Sequence, residues 1–126
     1  MTRNALTWFE IPVADIERAQ RFYETLLAKS LRREQMGPQT LAIFPYEDGQ
    51  GVGGALLQSA TAPAPGTDGS LVYLDAGPSL ATVMARAGEL GAKVLLPTLQ
   101  LPGTIGFIAQ IVDSEGNRVG LHSPNA

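Results

Sequence analysis

The chain has 126 residues, of which 44% are hydrophobic and 17% are charged, and its formal net charge is −3. These values fit one globular domain with its own core, and the acidic balance argues against a nucleic-acid groove. The absence of cysteine excludes disulfides and thiolate chemistry, and the lack of a long apolar run or a signal peptide predicts a cytoplasmic protein that does not enter a membrane.

The first predicted elements are a strand and an amphipathic helix. Residues 6–13 are rich in aromatic and β-branched side chains and end at a polar turn, as strands do. Asp15 then suits a helix N-cap. Apolar residues recur after it at three- and four-residue spacing, which predicts one buried helix face. This face consists of Ile16, Ala19, Phe22, Tyr23, Leu26 and Leu27.

Three further strands complete the first half of the chain. They are predicted over residues 30–36, 39–45 and 52–58. The last of them begins with Gly53 and Gly54, and consecutive glycines in a strand indicate a bulge or a close backbone approach. The first half is therefore a βαβββ module, about residues 4–59.

The second half repeats this order after a linker. Residues 60–69 contain Pro and Gly without apolar periodicity, which is typical of a linker. A strand over residues 70–75 follows, and then a helix with Pro78 in its first turn and Gly77 or Ser79 near its cap. The apolar stripe of that helix is Leu80, Val83, Met84, Ala87 and Leu90. Three last strands are predicted over residues 93–97, 106–112 and 118–122.

A constant offset relates the two halves. It carries Ile16 onto Leu80, and by extension Trp8 onto Val72 and Glu10 onto Leu74. We therefore predict an α+β fold with two tandem βαβββ modules, about residues 4–59 and 70–123, in one domain spanning residues 1–126. Their curved mixed sheets would enclose a shared cavity, which is the natural ligand site.

Two runs of this sequence resemble a known family. The run FEIPVADIERAQRFYETLL, with Asp15, Phe22 and Tyr23, and the ending DSEGNRVGLHSP, with its turn at 113–117, resemble the glyoxalase/bleomycin resistance/extradiol dioxygenase superfamily, also called vicinal oxygen chelate proteins. The stretch LPGTIGFIAQIVDSEGN resembles a subgroup related to lactoylglutathione lyase. The resemblance implies paired βαβββ modules, frequent dimers and a divalent metal in the cavity.

The sequence departs from the metal site that this resemblance implies. The implied ligand positions are occupied by Trp8, by Val72 or Leu71, by Gly120 and by one of Gly53, Gly54 and Leu56. None of these side chains binds a divalent ion. Glu10 and His122 are the remaining plausible donors, and two are too few. We therefore expect neither a metal nor another cofactor.

Glu10 is the candidate catalytic residue. It lies in phase with Trp8 on the first strand, on the face that the helix should leave uncovered. It could act there as an acid or base or hold a substrate group, although a structural partner or a rim charge is the commoner role. His122, the sole histidine, could exchange protons at the cavity edge, but a surface or interface histidine is commoner.

The expected ligand wall consists of Trp8, Glu10, Phe44, Tyr46, Tyr73, Phe107 and His122. Its aromatic rings together would stack a planar ligand, although each ring alone is more often a core residue. One open function is the binding of a small organic molecule without a metal. A second is a glyoxalase-type lyase or isomerase, or a dioxygenase, that uses Glu10. A non-catalytic scaffold with a vestigial cavity is the weakest. The apolar composition also predicts a homodimer.

Overall fold

A computed structural model describes residues 4–126 of the chain. Its elements are β1 Trp8–Pro12, α1 Ile16–Leu27, β2 Arg32–Met36, β3 Gln39–Ile43, β4 Gly53–Gln58, β5 Tyr73–Asp75, α2 Leu80–Glu89, β6 Val94–Gln100, β7 Phe107–Val112 and β8 Arg118–Ser123. The order βαβββ thus occurs twice, which confirms the predicted fold class. Within the described residues, no helix is long and apolar enough to cross a membrane.

Each module forms its own four-stranded mixed sheet. The first sheet has the strand order β1-β4-β3-β2, and the second has the order β5-β8-β7-β6. The first strand of each module lies at an edge and runs parallel to the last strand of the same module. The remaining neighbours are antiparallel. The two sheets therefore have equivalent topology.

Both sheets and both helices share one hydrophobic core. All six predicted stripe residues of α1 are buried in it. In α2, Leu80, Val83 and Ala87 are buried, whereas Met84 is half-buried and Leu90 is exposed at the helix end. Since each sheet turns one face toward this core, its other face points away from it.

Side chains cap both helices. Asp15 Oδ1 accepts hydrogen bonds from the backbone N–H groups of Glu17 and Arg18, as the sequence predicts for an N-cap. Ser79 caps α2 by accepting from the N–H of Thr82. Pro78 precedes this cap and does not lie in the first helical turn, so that detail of the sequence prediction is wrong.

The turn between β7 and β8 joins the second module to the first. Asp113 Oδ2 accepts a hydrogen bond from the buried hydroxyl of Tyr23 on α1 at 2.5 Å. Asn117 Nδ2 donates to the carbonyl of Pro12, the last residue of β1, at 2.8 Å. The N–H of Gly66 donates to Asn117 Oδ1 at 3.1 Å. The same turn therefore holds β1, α1 and the linker.

Glu115 in this turn binds the start of α1. Its Oε1 accepts from the N–H groups of Ala14 and Asp15, and the Arg18 guanidinium donates to both carboxylate oxygens at 2.7 and 2.9 Å. Burial alone would raise the pKa of Glu115. The hydrogen bonds from Arg18, Asp15, Ser114 and Ala14 outweigh it and lower the pKa to about 2.

We expect Glu115→Gln to weaken this junction at neutral pH. The folded pKa of the carboxyl is about 2 and its reference value is 4.5. The ionised group therefore stabilises the fold fully above about pH 4.5, and this contribution is lost as the pH falls toward 2. At pH 7 the variant should lose about 2–3 kcal/mol of unfolding free energy, and the difference from wild type should shrink by pH 3. Urea unfolding of wild type and variant at pH 7 and at pH 3 measures this difference.

The matched control is Glu47→Gln, in an exposed turn. It should follow the wild-type pH dependence. If Glu115→Gln also follows it, the carboxylate of Glu115 does not stabilise the junction.

Candidate functional site

The outer face of the first sheet is the face turned away from the core, with Trp8 and Glu10 on β1. Ile11 is buried in the core and Phe9 packs against it, whereas Trp8 and Glu10 are exposed. The alternation predicted from the sequence therefore holds. Trp8 Nε1 also donates a long hydrogen bond of 3.3 Å to Glu10 Oε2.

Trp8 lies over Gly53, its register partner on β4. A Cβ at Gly53 would lie 2.9 Å from the Trp8 ring and 2.7 Å from the Tyr46 ring. The two rings meet edge to face, with centroids 6.1 Å apart. The glycine thus makes room for both rings above the strand.

Gly54 leaves space for an aromatic ring on the opposite face of the same strand. A Cβ there would lie 2.2 Å from the ring of Phe9, which packs against the core. The register of β1 and β4 continues through both glycines without a shift. Of the two alternatives predicted for this pair, the structure has the close approach and not the bulge, and the approaching groups are aromatic rings.

The outer face of the second sheet carries Tyr73 on β5 and repeats this arrangement. Tyr73 lies over Gly120, its register partner on β8, and a Cβ at Gly120 would lie 2.3 Å from its ring. Gln110, the partner of Gly120 on β7, donates from Nε2 to the Tyr73 hydroxyl at 2.7 Å. Because Gly120 has no side chain, residues of the two flanking strands meet above β8.

The structure corrects the alignment of the two modules by one residue. Tyr73 takes the place of Trp8, and Asp75, which the sequence prediction missed, takes the place of Glu10. Leu74, which the constant offset put in that place, is buried in the core. The offset holds for the helices but fails for the strands, because the connection from strand to helix cap is one residue shorter in the second module.

Two residues of the predicted ligand wall lie on the core side of the sheets. Phe44 is buried and its ring centroid lies 5.7 Å from that of Phe9 and 5.6 Å from that of Tyr23. Phe107 is half-buried and packs against the same core. Phe44 also borders a cavity of about 270 Å³ between the modules, which Tyr73 reaches from the second sheet.

Three of the other predicted residues line two further cavities. Glu10 lines a cleft of about 500 Å³ between β1, linker residues 63–70 and the start of β8, where Arg118 is exposed. Tyr73 and His122, with Leu101 and Ile108, line a pocket of about 350 Å³ on the outer face of the second sheet. Trp8 and Tyr46 border neither of them. The predicted site residues therefore do not meet in one cavity within a single chain.

A tight loop holds His122 in this second pocket. His122 Nε2 lies 2.6 Å from the carbonyl oxygen of Ile105. Gly106 has a φ of 110°, and a Cβ there would lie 2.4 Å from the backbone oxygen of Ser123. The N–H of Leu101 donates to the carbonyl of Gly106 at 2.8 Å. The loop therefore needs glycine at this position to approach β8 closely.

The residues at the implied metal positions do not fit a divalent ion. With the register corrected, the two register pairs are Trp8 with Gly53 and Tyr73 with Gly120. A glycine offers no side-chain donor, and a hard or borderline ion needs several His, Asp or Glu ligands that converge. Among residues 4–126, no group of three or more such side chains could hold a metal.

We expect Gly120→Ala to displace Tyr73 from its place over β8. A Cβ would overlap the ring, and such overpacking destabilises a fold by about 1–3 kcal/mol. In a Tyr73→Ala background the same substitution should have a much smaller effect. Thermal unfolding of the four proteins of this double-mutant cycle measures the coupling.

Gly69→Ala is the control, because a Cβ at Gly69 meets no atom within 4 Å. It should leave the melting temperature close to that of wild type. Equal losses from Gly120→Ala with and without the Tyr73 ring would contradict the proposed contact.

Comparison with protein families gives one match. The bleomycin resistance protein-like N-terminal family model matches residues 5–27, the segment that contains β1, the Asp15 cap and α1. A comparison of the sequence with curated proteins found no significant match.

Several solved structures share the whole fold. TnmS3, an antibiotic binding protein from Streptomyces sp. CB03234, has a TM-score of 0.69 at 24% identity over 99% of each chain. A glyoxalase/bleomycin resistance protein from the same organism has a TM-score of 0.70 at 23% identity, over 94% of this chain and 100% of the other. The fosfomycin resistance protein FosX from Listeria monocytogenes has a TM-score of 0.70 at 11% identity, over 97% and 92% of the chains. This chain therefore shares its fold with these proteins, and its residues 5–27 resemble the bleomycin resistance protein-like N-terminal family.

Proposed function

We propose that this chain binds a small organic molecule through the aromatic side chains on its outer sheet faces. The observation that carries this proposal is the pair of rings held over glycines. Trp8 is 36% exposed and Tyr73 is 42% exposed, although the neighbouring backbone leaves space for both rings. Exposed rings fixed in this way supply planar apolar surface, which is the main component of small-molecule sites.

The proposal that this chain binds a ligand is supported by two proteins of the same fold. TnmS3 is described as an antibiotic binding protein, and FosX as a fosfomycin resistance protein. Fold similarity at such identities does not transfer a ligand. We therefore propose the general class, a small organic molecule, and place its binding in the cytoplasm.

A catalytic role for Glu10 is the second candidate. Glu10 is exposed and lines the cleft of about 500 Å³, where Arg118 is a second charged group. A carboxylate in such a place can transfer a proton to or from a bound molecule. The side chains do not fit the metal on which glyoxalase-type and dioxygenase-type chemistry of this superfamily is expected to depend, so proton transfer by Glu10 alone is the form that this alternative takes.

We also propose that the chain forms a homodimer. The outer faces of both sheets point away from the shared core, so a molecule on either face is covered on one side only. A second copy placed against these faces would cover the other side. Large apolar side chains are exposed on both modules, among them Trp8, Met36, Tyr46, Tyr73, Leu99 and Ile105, and exposed apolar surface of this kind is available to an interface.

Replacing Trp8 should weaken ligand binding more than it weakens the fold. We expect Trp8→Leu to lower the affinity for planar aromatic ligands about tenfold, since stacking on a ring contributes roughly 0.5–1.5 kcal/mol beyond area burial. The melting temperature should change little because the ring is partly exposed. A thermal-shift screen of planar aromatic compounds identifies a ligand, and calorimetric titration of wild type and variant measures the affinity. Unchanged affinity would exclude Trp8 from the site.

Glu10→Gln separates binding from catalysis. If Glu10 contacts the ligand, this variant should bind more weakly, or lose turnover, with a nearly unchanged melting temperature because the side chain is exposed. Glu47→Gln is again the matched control. A variant that loses stability but keeps binding would make Glu10 a structural residue.

The dimer is tested by sedimentation velocity at micromolar concentration. We expect a species of twice the 13.3 kDa chain mass. Tyr73→Glu should shift the population toward monomer, because a carboxylate on this face would be buried in the interface without a partner. A wild-type monomer at this concentration would contradict the proposal.

A further inference from the structure

We propose that the pocket on the outer face of the second sheet selects an uncharged aromatic ligand that carries both a hydrogen-bond acceptor and a hydrogen-bond donor. The pocket is lined by Tyr73, Leu101, Ile108 and His122 and has a volume of about 350 Å³, which lies within the range of small-molecule sites. This inference rests on the proposed function and specifies the chemistry of the ligand. It follows from the hydrogen bonds that two of the lining residues already make.

Tyr73 has a hydroxyl hydrogen to offer. Its oxygen accepts a hydrogen bond from Gln110 Nε2 at 2.7 Å, so this bond does not use the hydroxyl hydrogen. Among residues 4–126, no acceptor is in hydrogen-bond contact with it. A hydroxyl can donate one hydrogen bond while it accepts another. Tyr73 can therefore donate to a carbonyl or ether oxygen of a bound molecule.

His122 has a lone pair to offer. Its Nε2 lies 2.6 Å from the carbonyl oxygen of Ile105. A carbonyl oxygen can only accept, so Nε2 carries the hydrogen and donates it. In the neutral imidazole, Nδ1 is then the acceptor, and it has no hydrogen-bond partner within the described part of the chain. His122 can therefore accept a hydrogen bond from a ligand hydroxyl or N–H.

The loop before β7 fixes this tautomer. The carbonyl of Ile105 precedes Gly106, whose positive φ and close approach to Ser123 exclude a side chain at that position. The Leu101 N–H to Gly106 carbonyl bond closes the loop. The backbone therefore presents its oxygen to Nε2 before any ligand arrives, and Nδ1 remains for recognition.

The remaining lining residues favour an uncharged ligand. Leu101 and Ile108 are apolar, and apart from the His122 imidazole no acidic or basic side chain lines this pocket. A charged group placed here would lose hydration without gaining an ion pair. The pocket thus offers apolar contact, one donor and one acceptor, and a complementary ligand has an apolar ring system with one acceptor and one donor.

Four naphthalene probes test this inference by calorimetric titration. They are 2-methylnaphthalene, with neither group, 2-acetonaphthone, with an acceptor, 2-naphthol, with a donor hydroxyl whose oxygen is a poorer acceptor than a ketone, and 6-hydroxy-2-acetonaphthone, with both. Tyr73→Phe should weaken the two acetonaphthones about tenfold, as expected for one lost hydrogen bond, and should weaken 2-naphthol much less. His122→Phe should weaken 2-naphthol and the hydroxy-acetonaphthone and spare 2-acetonaphthone. Glu47→Gln, in an exposed turn outside this pocket, should change none of them.

A measurement on the wild-type protein covers the case in which His122→Phe does not fold. His122 is the only histidine, so nitrogen-15 NMR observes its ring without ambiguity. At a pH where the ring is neutral, Nδ1 should give the resonance of an unprotonated nitrogen. That resonance should shift on addition of 2-naphthol and not on addition of 2-acetonaphthone. A protonated Nδ1 would overturn the inference.

The outcomes separate this inference from the function on which it rests. If the wild-type protein binds none of the four probes, the proposed aromatic binding and this inference both fail. If the probes bind, but Tyr73→Phe and His122→Phe weaken all four equally or none of them, binding stands and the donor–acceptor selection is wrong.

Discussion

Directional contacts between the two modules are concentrated in the turn at 113–117. Burial of apolar side chains in the shared core holds the modules together, but hydrophobic burial is non-directional and does not by itself fix an angle. The turn supplies the direction. Asp113 binds the hydroxyl of Tyr23, Asn117 binds the carbonyl of Pro12, and Glu115 binds the N–H groups that begin α1. Each partner belongs to the first module.

This junction also positions the proposed binding surfaces. Pro12, which the turn contacts, ends the strand that carries Trp8 and Glu10, and Ala14 follows shortly after it. The turn itself leads into β8, which carries Gly120 and His122. The hydrogen bond from the Gly66 N–H to Asn117 Oδ1 holds the linker against this turn. The linker then forms one wall of the cleft that Glu10 lines. The outer faces of the two sheets are therefore set relative to each other by a few hydrogen bonds.

Features that depend on near neighbours in the chain could be predicted from the sequence. The buried stripe of α1, the Asp15 cap and the alternation of Trp8 and Glu10 with Phe9 and Ile11 follow from helix and strand periodicity. The alignment of the modules could not be predicted to the residue, since the helix match at Leu80 does not reveal a shortened connection before it. That single residue exchanged Leu74 for Asp75 on the outer face, because side chains alternate along a strand.

The arrangement of the site depended on tertiary packing that periodicity does not contain. Phe44 lies just beyond the end of β3 and continues its alternation, since Ala42 and Phe44 face the shared core and Ile43 faces the other way. Which of the two faces is the core face depends on tertiary packing, and the Phe44 ring packs on Tyr23. The prediction of one shared cavity assumed that both modules turn their open faces inward. The structure instead brings the opposite faces together around the helices, and the hydrogen bonds of the turn at 113–117 join the two modules in this arrangement.

The glycines beneath Trp8 and Tyr73 constrain the order in which this sequence can change during evolution. A side chain at Gly120 becomes tolerable only after the Tyr73 ring has been replaced by a smaller group, and a side chain at Gly53 only after both the Trp8 and Tyr46 rings have been replaced. The reverse order passes through an overpacked intermediate. The effect of a substitution at each glycine therefore depends on the aromatic side chains above it, which is epistasis. A descendant with a polar or charged side chain at Gly53 or Gly120 must first lose those aromatic side chains. Because a larger residue at either glycine is destabilising while the rings are present, substitution at the glycines alone is disfavoured and the aromatic surface is retained.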